Sequence, residues 1–335
     1  MKEKKEKNRI RPLRLILRVL GAILALLLLA ALTMFVIPLT ETGDSRSVEG
    51  SADWMAALDD GLALQEIVLP GTHDSATRYV QLGYFSKCQA KSVGGQLEAG
   101  YRYLDIRLAV DGDGLKLMHG FTNCRSGPLP WNAPLRLEEL LEECYAFLEE
   151  HPGETVIFAV KQEHGSESVA EFETALDRVV QKRRERWLLS DSIPTLGEAR
   201  GKLVLMRRYE DEAGLGSEAG IPLLWSSQKG YENPALNTVR EDNGSYTLWV
   251  QDRYEYDAAD KWNAFLAGME AAEKGEGNLA VHFLSTKGTA AYGHPYRFAR
   301  ELNEKLMQRE GLRGWIVTDF GSAPMAEWIY RTNFS

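Results

Sequence analysis

The sequence predicts an α/β fold: a mostly parallel sheet closed into a barrel and covered by helices, preceded by an N-terminal apolar helix. Three observations carry this. Short β-rich runs alternate with helical stretches through residues 53–335, charged side chains recur where those runs end, and residues 19–39 contain no charge. Alternation of strands and helices favours parallel pairing with helices on the outer face. Barrel enzymes build their sites at the C-terminal ends of strands, so charge gathered there suits a barrel better than an open sheet.

Residues 1–18 hold Lys2, Lys4, Lys5, Lys7, Arg9, Arg11, Arg14 and Arg18 and form a basic N-terminus. The uncharged run Val19–Leu39 that follows would make a helix about 31 Å long at ~1.5 Å per residue, enough to cross a hydrocarbon core. Basic residues ahead of such a span hold the N-terminus in the cytoplasm, so the rest should emerge outside. A single-pass cell-membrane anchor is therefore expected. The alternative is a signal segment cleaved on secretion, whose apolar core is usually only ~7–15 residues. Residues 40–52, polar and small, read as a flexible stalk. The remaining 53–335 suit one large domain.

Of 335 residues, 44% are hydrophobic and 26% charged, so the chain is globular. The net charge is -9, and the eight basic residues at the N-terminus leave the other 295 with 31 Lys/Arg against 46 Asp/Glu. Nucleic acid is not expected as a partner. Three cysteines are too few for a disulfide scaffold. In an oxidising exterior Cys88 and Cys124 are placed to pair or to remain as thiols; Cys144, within a helical pattern, reads as a buried small hydrophobe.

Expected strands are Glu66–Leu69, Arg102–Ala109, Leu115–Met118, Thr155–Lys161, Lys202–Arg208, Leu248–Gln251, Leu279–Leu284 and Gly314–Asp319. Expected helices are Leu137–Glu150, Ser168–Leu189, Ala258–Glu273 and Tyr296–Arg309. The first of these puts Leu137, Leu140, Leu141, Cys144, Phe147 and Leu148 on one face. Two strands in succession (102–118) make closure of the barrel irregular. The stretch Gly214–Gly220 has the wrong glycine spacing and too many acidic neighbours for a phosphate loop, and reads as mobile.

In Tyr103–Leu108 the strand period of two sets Asp105 and Arg107 on one side and Leu104, Ile106 and Leu108 on the other. Charge on the inner side of a sheet implies mutual pairing or a bound anion, because an unpaired buried charge costs several kcal/mol. Lys161, Arg208, Asp252 and Asp319 end or follow other strands. His73, in Pro70-Gly71-Thr72-His73-Asp74-Ser75, and His119, before Gly120, lie just past strands too. His151 belongs to a turn on the opposite rim; His164, His282 and His294 read as structural.

Two histidines, an arginine and several carboxylates make an acid–base set around an anion. One imidazole can take a proton from a hydroxyl while the other gives one to a leaving alkoxide, each oriented by a carboxylate. A guanidinium neutralises charge growing on phosphate oxygens. That is the outline of phosphodiester cleavage by an internal hydroxyl. No HExxH and no paired Cys/His spacing points to zinc, so no metal or other cofactor is expected.

Leu69–Ser75, Leu104–Arg107 and Leu117–Gly120 resemble the X domain of phosphatidylinositol-specific phospholipases C. Gly201–Leu205 leading to Arg208-Tyr209, Val250–Tyr254 and Gly314–Asp319 resemble the bacterial enzymes, and the likeness runs in order from about 55 to about 333. It implies an irregular (β/α) TIM-type barrel and a metal-independent phosphatidylinositol diacylglycerol-lyase. His73 would be the general base, oriented by Asp319; Asp74 would support His119, the general acid; Arg107 would bind the phosphate. Lys161, Arg208 and Asp252 would hold the inositol hydroxyls, with Tyr254 stacked on the ring. Products would be diacylglycerol and inositol 1,2-cyclic phosphate, from phosphatidylinositol or glycosylated forms of it. The expected partners are this lipid and a membrane surface, with Tyr84, Phe85, Trp131 and Tyr292 as rim aromatics, and a monomer is expected. The apolar N-terminal segment, and Cys88 with Cys124, depart from the secreted bacterial members. Alternatives are a metal-dependent glycerophosphodiesterase-like barrel, for which no Glu-x-Asp cluster follows His73, and a catalytically silent inositide-binding domain, which would have lost a histidine.

Overall fold

The computed structural model describes residues 2–229, 238–273, 277–291 and 293–334, with side chains from residue 14 onward. The strands are β1 (Leu69–Thr72), β2 (Tyr103–Asp111), β3 (Gly114–His119), β4 (Thr122–Asn123), β5 (Val156–Gln162), β6 (Trp187–Leu188), β7 (Leu203–Arg207), β8 (Ile221–Pro222), β9 (Val239–Asp242), β10 (Thr247–Gln251), β11 (Asn278–Phe283) and β12 (Trp315–Thr318). Along the sheet the order is β6-β7-β5-β2-β1-β12-β11-β10-β9, with β8 beside β7. Every pairing from β8 through β7, β5, β2, β1, β12 and β11 to β10 is parallel.

These eight strands are the staves of a barrel. Among the described residues no ladder joins β8 to β10. Side chains bridge the seam instead: the Leu224 N–H donates to Asn243 Oδ1 at 2.7 Å, and Gln228 Nε2 to the Val250 carbonyl at 3.1 Å. The expected strand Leu115–Met118 is not a stave. It is β3, antiparallel to β2 (Leu108 opposite Leu117), a hairpin folded back over the mouth.

The period-two reading of β2 describes its packing. Leu104, Ile106 and Leu108, with Phe158 and Val160 of β5 and Leu203 and Leu205 of β7, face an outer core. Helices Leu137–Glu150 and Val169–Val180 cover that face. Tyr103, Ile157, Ala159, Val204 and Met206 belong to a separate core that includes Leu248, Val281 and Ile316. In register, Tyr103 lies beside Ile157, Asp105 beside Ala159 and Arg107 beside Lys161, so this inner face turns from apolar to charged towards the mouth.

Several expectations shift. The first strand begins at Leu69 because Leu64–Glu66 forms a 3-10 turn, closed by the Ala63 N–H on Glu66 Oε2 at 3.0 Å. The helix expected over Ser168–Leu189 ends at Val180. A 3-10 stretch follows, then β6, whose Trp187 is buried against Phe158 and donates to Tyr145 Oη at 3.0 Å. The loop expected to be mobile is tied down: Asp211 accepts the N–H groups of Leu215 and Gly216, and Arg184 clasps both oxygens of Glu218 at 2.9 Å. All three cysteines are buried free thiols, so Cys88 and Cys124 do not pair.

The N-terminal helix Lys2–Ala31 continues through a π turn, Leu32–Val36, into a last turn, Ile37–Thr40. Pro38 has no N–H for the carbonyl four residues back, which accounts for the disrupted turn. From Arg14 to Thr40 the mean hydropathy reaches 2.8, long and apolar enough to cross a membrane. The segment expected to be a free stalk has no regular structure, yet it is tethered. Glu41 is buried and pairs with His294 at 2.5 Å, Thr42 accepts from Tyr296 Oη at 3.2 Å, and Ser51 meets Tyr330 Oη at 3.2 Å.

Candidate active site

The Leu-Pro-Gly-Thr strand delivers His73 and Asp74 to the mouth. Gly71 is required there, since a Cβ would lie 2.9 Å from the Tyr103 ring. Asp74 follows in the left-handed region, φ +43°, a conformation aspartate tolerates better than most residues. Its N–H donates to Asp105 Oδ2 at 3.2 Å, and the N–H of Asp105 donates to Ser75 Oγ at 2.9 Å. The ends of β1 and β2 are thereby locked together.

His73 Nδ1 lies 2.8 Å from Asp319 Oδ1, and Arg107 Nη2 donates to His73 Nε2 at 2.9 Å. A guanidinium can only donate, so Nε2 carries a lone pair and the ring is neutral, with its proton towards Asp319. Burial, then the charge of Arg107, pushes the imidazole well below its usual range, in agreement. Burial and the nearby Asp74 charge push Asp319 up.

His119 comes from the β2–β3 hairpin. Its Nδ1 donates to the Ser86 carbonyl at 2.7 Å, which leaves Nε2 directed at Asp74 Oδ2, 3.4 Å away. The two imidazole centroids are 6.2 Å apart, edge to face. Asp74 lies between them, 3.1 Å from His73 Nε2, and 2.9 Å from Arg107 Nε. Both its oxygens are buried and neither accepts an aligned hydrogen bond. Burial raises this carboxyl above its usual range.

Arg107 also meets Asp105 at 3.1 Å, and Arg208 Nη1 donates to the other Asp105 oxygen at 3.1 Å. Burial works against ionisation of Asp105, yet Arg107 and Arg208 together hold it well below the usual carboxylate range. Arg208 stacks on Trp225, 3.8 Å from the ring centroid. Asp252 accepts from Trp225 Nε1 at 3.3 Å, and Tyr254 shares a hydrogen bond with Ser227 Oγ at 3.0 Å.

A cavity of about 1020 Å³ collects these groups. His73, Arg107, His119, Lys161, Arg208, Asp252, Tyr254 and Asp319 all line it, and Asp74 sits just beneath. The structure therefore brings all nine anticipated residues to one place. The other histidines lie apart from this cluster: His151 pairs with Asp53 on the opposite rim, His294 with Glu41, and His282 is buried with neither ring nitrogen hydrogen-bonded. Of the rim aromatics, Trp131 is 77% exposed, Tyr84 is stacked on His294 and Phe85 lines the cavity; Tyr292 lies outside the described residues.

Sequence reasoning missed Glu163. One of its oxygens takes the Lys161 ammonium at 2.9 Å and the other the Gly120 N–H at 3.1 Å, with Arg107 3.8 Å off. The signal was there: it lies two residues beyond Lys161, on the same face of an extended chain. Trp225 and the Ser86 carbonyl had no local signal. Three sets of possible metal ligands fall in this region: His73, Cys88 and Asp319; Asp74, Cys88 and His119; and His73, Asp74 and Asp105. Each contains a carboxylate already engaged by Arg107 or His73.

Residues 71–209 match the X domain of phosphatidylinositol-specific phospholipase C. The resemblance to phosphatidylinositol-specific phospholipases C read from the sequence is matched over that stretch. The 1-phosphatidylinositol phosphodiesterase of Staphylococcus aureus (strain Newman) is 26% identical over 289 residues, covering 80% of this chain and 88% of the relative. The Listeria monocytogenes protein of the same name is 28% identical over 301 residues, 84% of each chain. A mutant Staphylococcus aureus phospholipase C structure superposes with a TM-score of 0.69 at 24% identity, over 86% of this chain and 99% of that one. The fold of this chain is thus that of the bacterial enzymes, a TIM-type barrel.

Proposed function

We propose that the chain is a phosphatidylinositol diacylglycerol-lyase that works without a metal. The observation that carries this reading is one cavity holding two imidazoles 6.2 Å apart with a guanidinium 2.9 Å from the first. In the proposed reaction the inositol 2-hydroxyl oxygen bonds to phosphorus as His73 Nε2 takes its proton. Arg107 turns from His73 to the phosphate oxygens and neutralises their growing charge. The bond from phosphorus to the diacylglycerol oxygen breaks, and His119 Nε2 supplies that oxygen's proton. Diacylglycerol and inositol 1,2-cyclic phosphate result, and the histidines end with their protonation exchanged. Water entering in place of diacylglycerol resets both by reversing their roles.

Lys161, Arg208 and Asp252 hold the inositol hydroxyls, with Tyr254 against the ring; the cavity also has room for glycosylated headgroups. The N-terminal helix crosses the cell membrane once, leaving a monomeric barrel outside. Phosphorus NMR of the purified chain with phosphatidylinositol tests the chemistry: a cyclic phosphate signal should precede any acyclic one. Direct appearance of acyclic inositol phosphate would sink the internal-attack reading. Turnover should be unchanged by EDTA, because Arg107 supplies the positive charge; loss of activity restored by added calcium would assign that charge to a metal.

A further inference from the structure

The last turn of the N-terminal helix touches the segment that holds the general acid. His119 is kept in its tautomer by the Ser86 carbonyl, and Ser86 ends the short helix Gly83–Ser86. That helix is pressed on the juxtamembrane turn: a Cβ on Gly83 would lie 2.9 Å from Pro38 Cβ. The next residue, Lys87, is buried, and its ammonium donates to the Pro38 carbonyl at 2.6 Å and the Glu41 carbonyl at 2.7 Å. Tyr84 stacks at 4.0 Å on His294, which in turn grips Glu41. The same strap reaches the residue after Asp319, since a Cβ on Gly43 would lie 3.0 Å from the Phe320 carbonyl.

We infer that residues 37–43 form a positioning strap, by which the attached membrane helix holds His119, through Ser86 and Lys87, at its proton-donating position. The inference rests on the acid role proposed for His119. Its physical basis is that the two carbonyls capping Lys87 lie at the negative C-terminal end of a helix and have acceptor capacity to spare, Pro38 taking the Glu41 N–H at 3.3 Å as well as the ammonium, which makes them good acceptors for a buried cation. Without them the ammonium would be buried unpaired, and the 83–87 segment would move to let it reach water. A shift of about 1 Å in an acid–base group is enough to cost on the order of 10²-fold in rate.

The test compares two water-soluble esters of inositol phosphate in the full-length chain held in detergent micelles: an alkyl ester, whose leaving oxygen needs a proton, and a nitrophenyl ester, whose leaving oxygen does not. Lys87→Met and Gly83→Val should each lower kcat for the alkyl ester about 10–100-fold. Each should leave the nitrophenyl ester within about threefold, which also reports that the variant is folded. His119→Ala should reproduce the pattern more severely. Equal losses on both esters, or no loss on either, would overturn the strap while leaving the lyase reading in place. Failure of the unaltered chain to turn over either ester would remove that reading and the strap together.

Discussion

At the N-terminal rim of the barrel Arg102 and Glu154 are wholly buried, and all five guanidinium N–H groups are used: one on Glu154 at 2.8 Å, the others on the carbonyls of Leu97, Tyr101, Ser51 and Ala52. Glu154 accepts in addition from the N–H groups of Met55 and Ala56. At the mouth the carboxylates of Asp74 and Asp105 are as deeply placed, but the groups around them are partly open to the cavity and incompletely matched. Asp74 accepts no aligned hydrogen bond, His119 Nε2 stands 3.4 Å from it, and Arg107 comes no nearer than 3.8 Å to Glu163. A saturated cluster has nothing left to offer a ligand, so the rim is structural. An unsaturated one facing a cavity is preorganised for charge that arrives with the substrate.

The contrast can be broken by experiment. Its largest consequence is at the mouth: His73→Ala and His119→Ala should each lose ~10²–10⁴-fold in turnover of phosphatidylinositol with no loss of unfolding free energy. Variants that unfold while keeping specific activity would invert the assignment. At the rim, Arg102→Met should cost ~3–5 kcal/mol in urea denaturation, because Glu154 is left buried and unpaired, while kcat of the folded fraction stays at the unaltered value.

Glu163→Gln tests the middle ground. Its carboxylate serves Lys161 and faces the cavity, so its loss should raise KM about tenfold, as expected for a hydrogen bond to a charged group, with less effect on kcat. The smallest effect near pH 6 concerns the buried ring outside the site. Burial, then the charge of Lys261, lowers His282 to about 3. Between about pH 6.5 and 3 the unfolded chain therefore binds a proton at this ring that the native chain refuses, and stability falls on acidification through that window. His282→Leu should flatten the fall in pH-dependent denaturation by one proton and leave activity alone. An unchanged slope would show that the ring is not the source.

How much was legible in the chain varies from residue to residue. The helix Leu137–Glu150 was read with its observed ends, since its apolar stripe and its packing agree. Trp187 overrode a helical pattern because burying a large ring against Phe158 outweighs local propensity. His73 and His119 were visible as polar groups just past strands, and Arg107 by the period of two within its strand. Glu163 was missed although its spacing of two from Lys161, where the expected strand ends, places both on one face of an extended chain. Residues 40–52 were read as a flexible stalk and Pro38 as part of the apolar span: nothing in either signals that Lys87, more than forty residues on, takes the carbonyls of Pro38 and Glu41.

From the order of residues alone came the alternation of strands and helices, the inner and outer faces of β2, the uncharged N-terminal span and seven polar residues of the mouth, whereas Asp74 and Tyr254 were singled out only by the family resemblance. The former follow from short-range periodicity, which each segment carries within itself. Tertiary packing decided the hairpin that swings His119 back over the cavity, the side-chain seam between β8 and β10, the thiols of Cys88 and Cys124, and the seat of the apolar N-terminal helix beside the segment that holds His119. Each of those depends on which distant surfaces remain unpaired once the barrel has formed, and no local pattern records that.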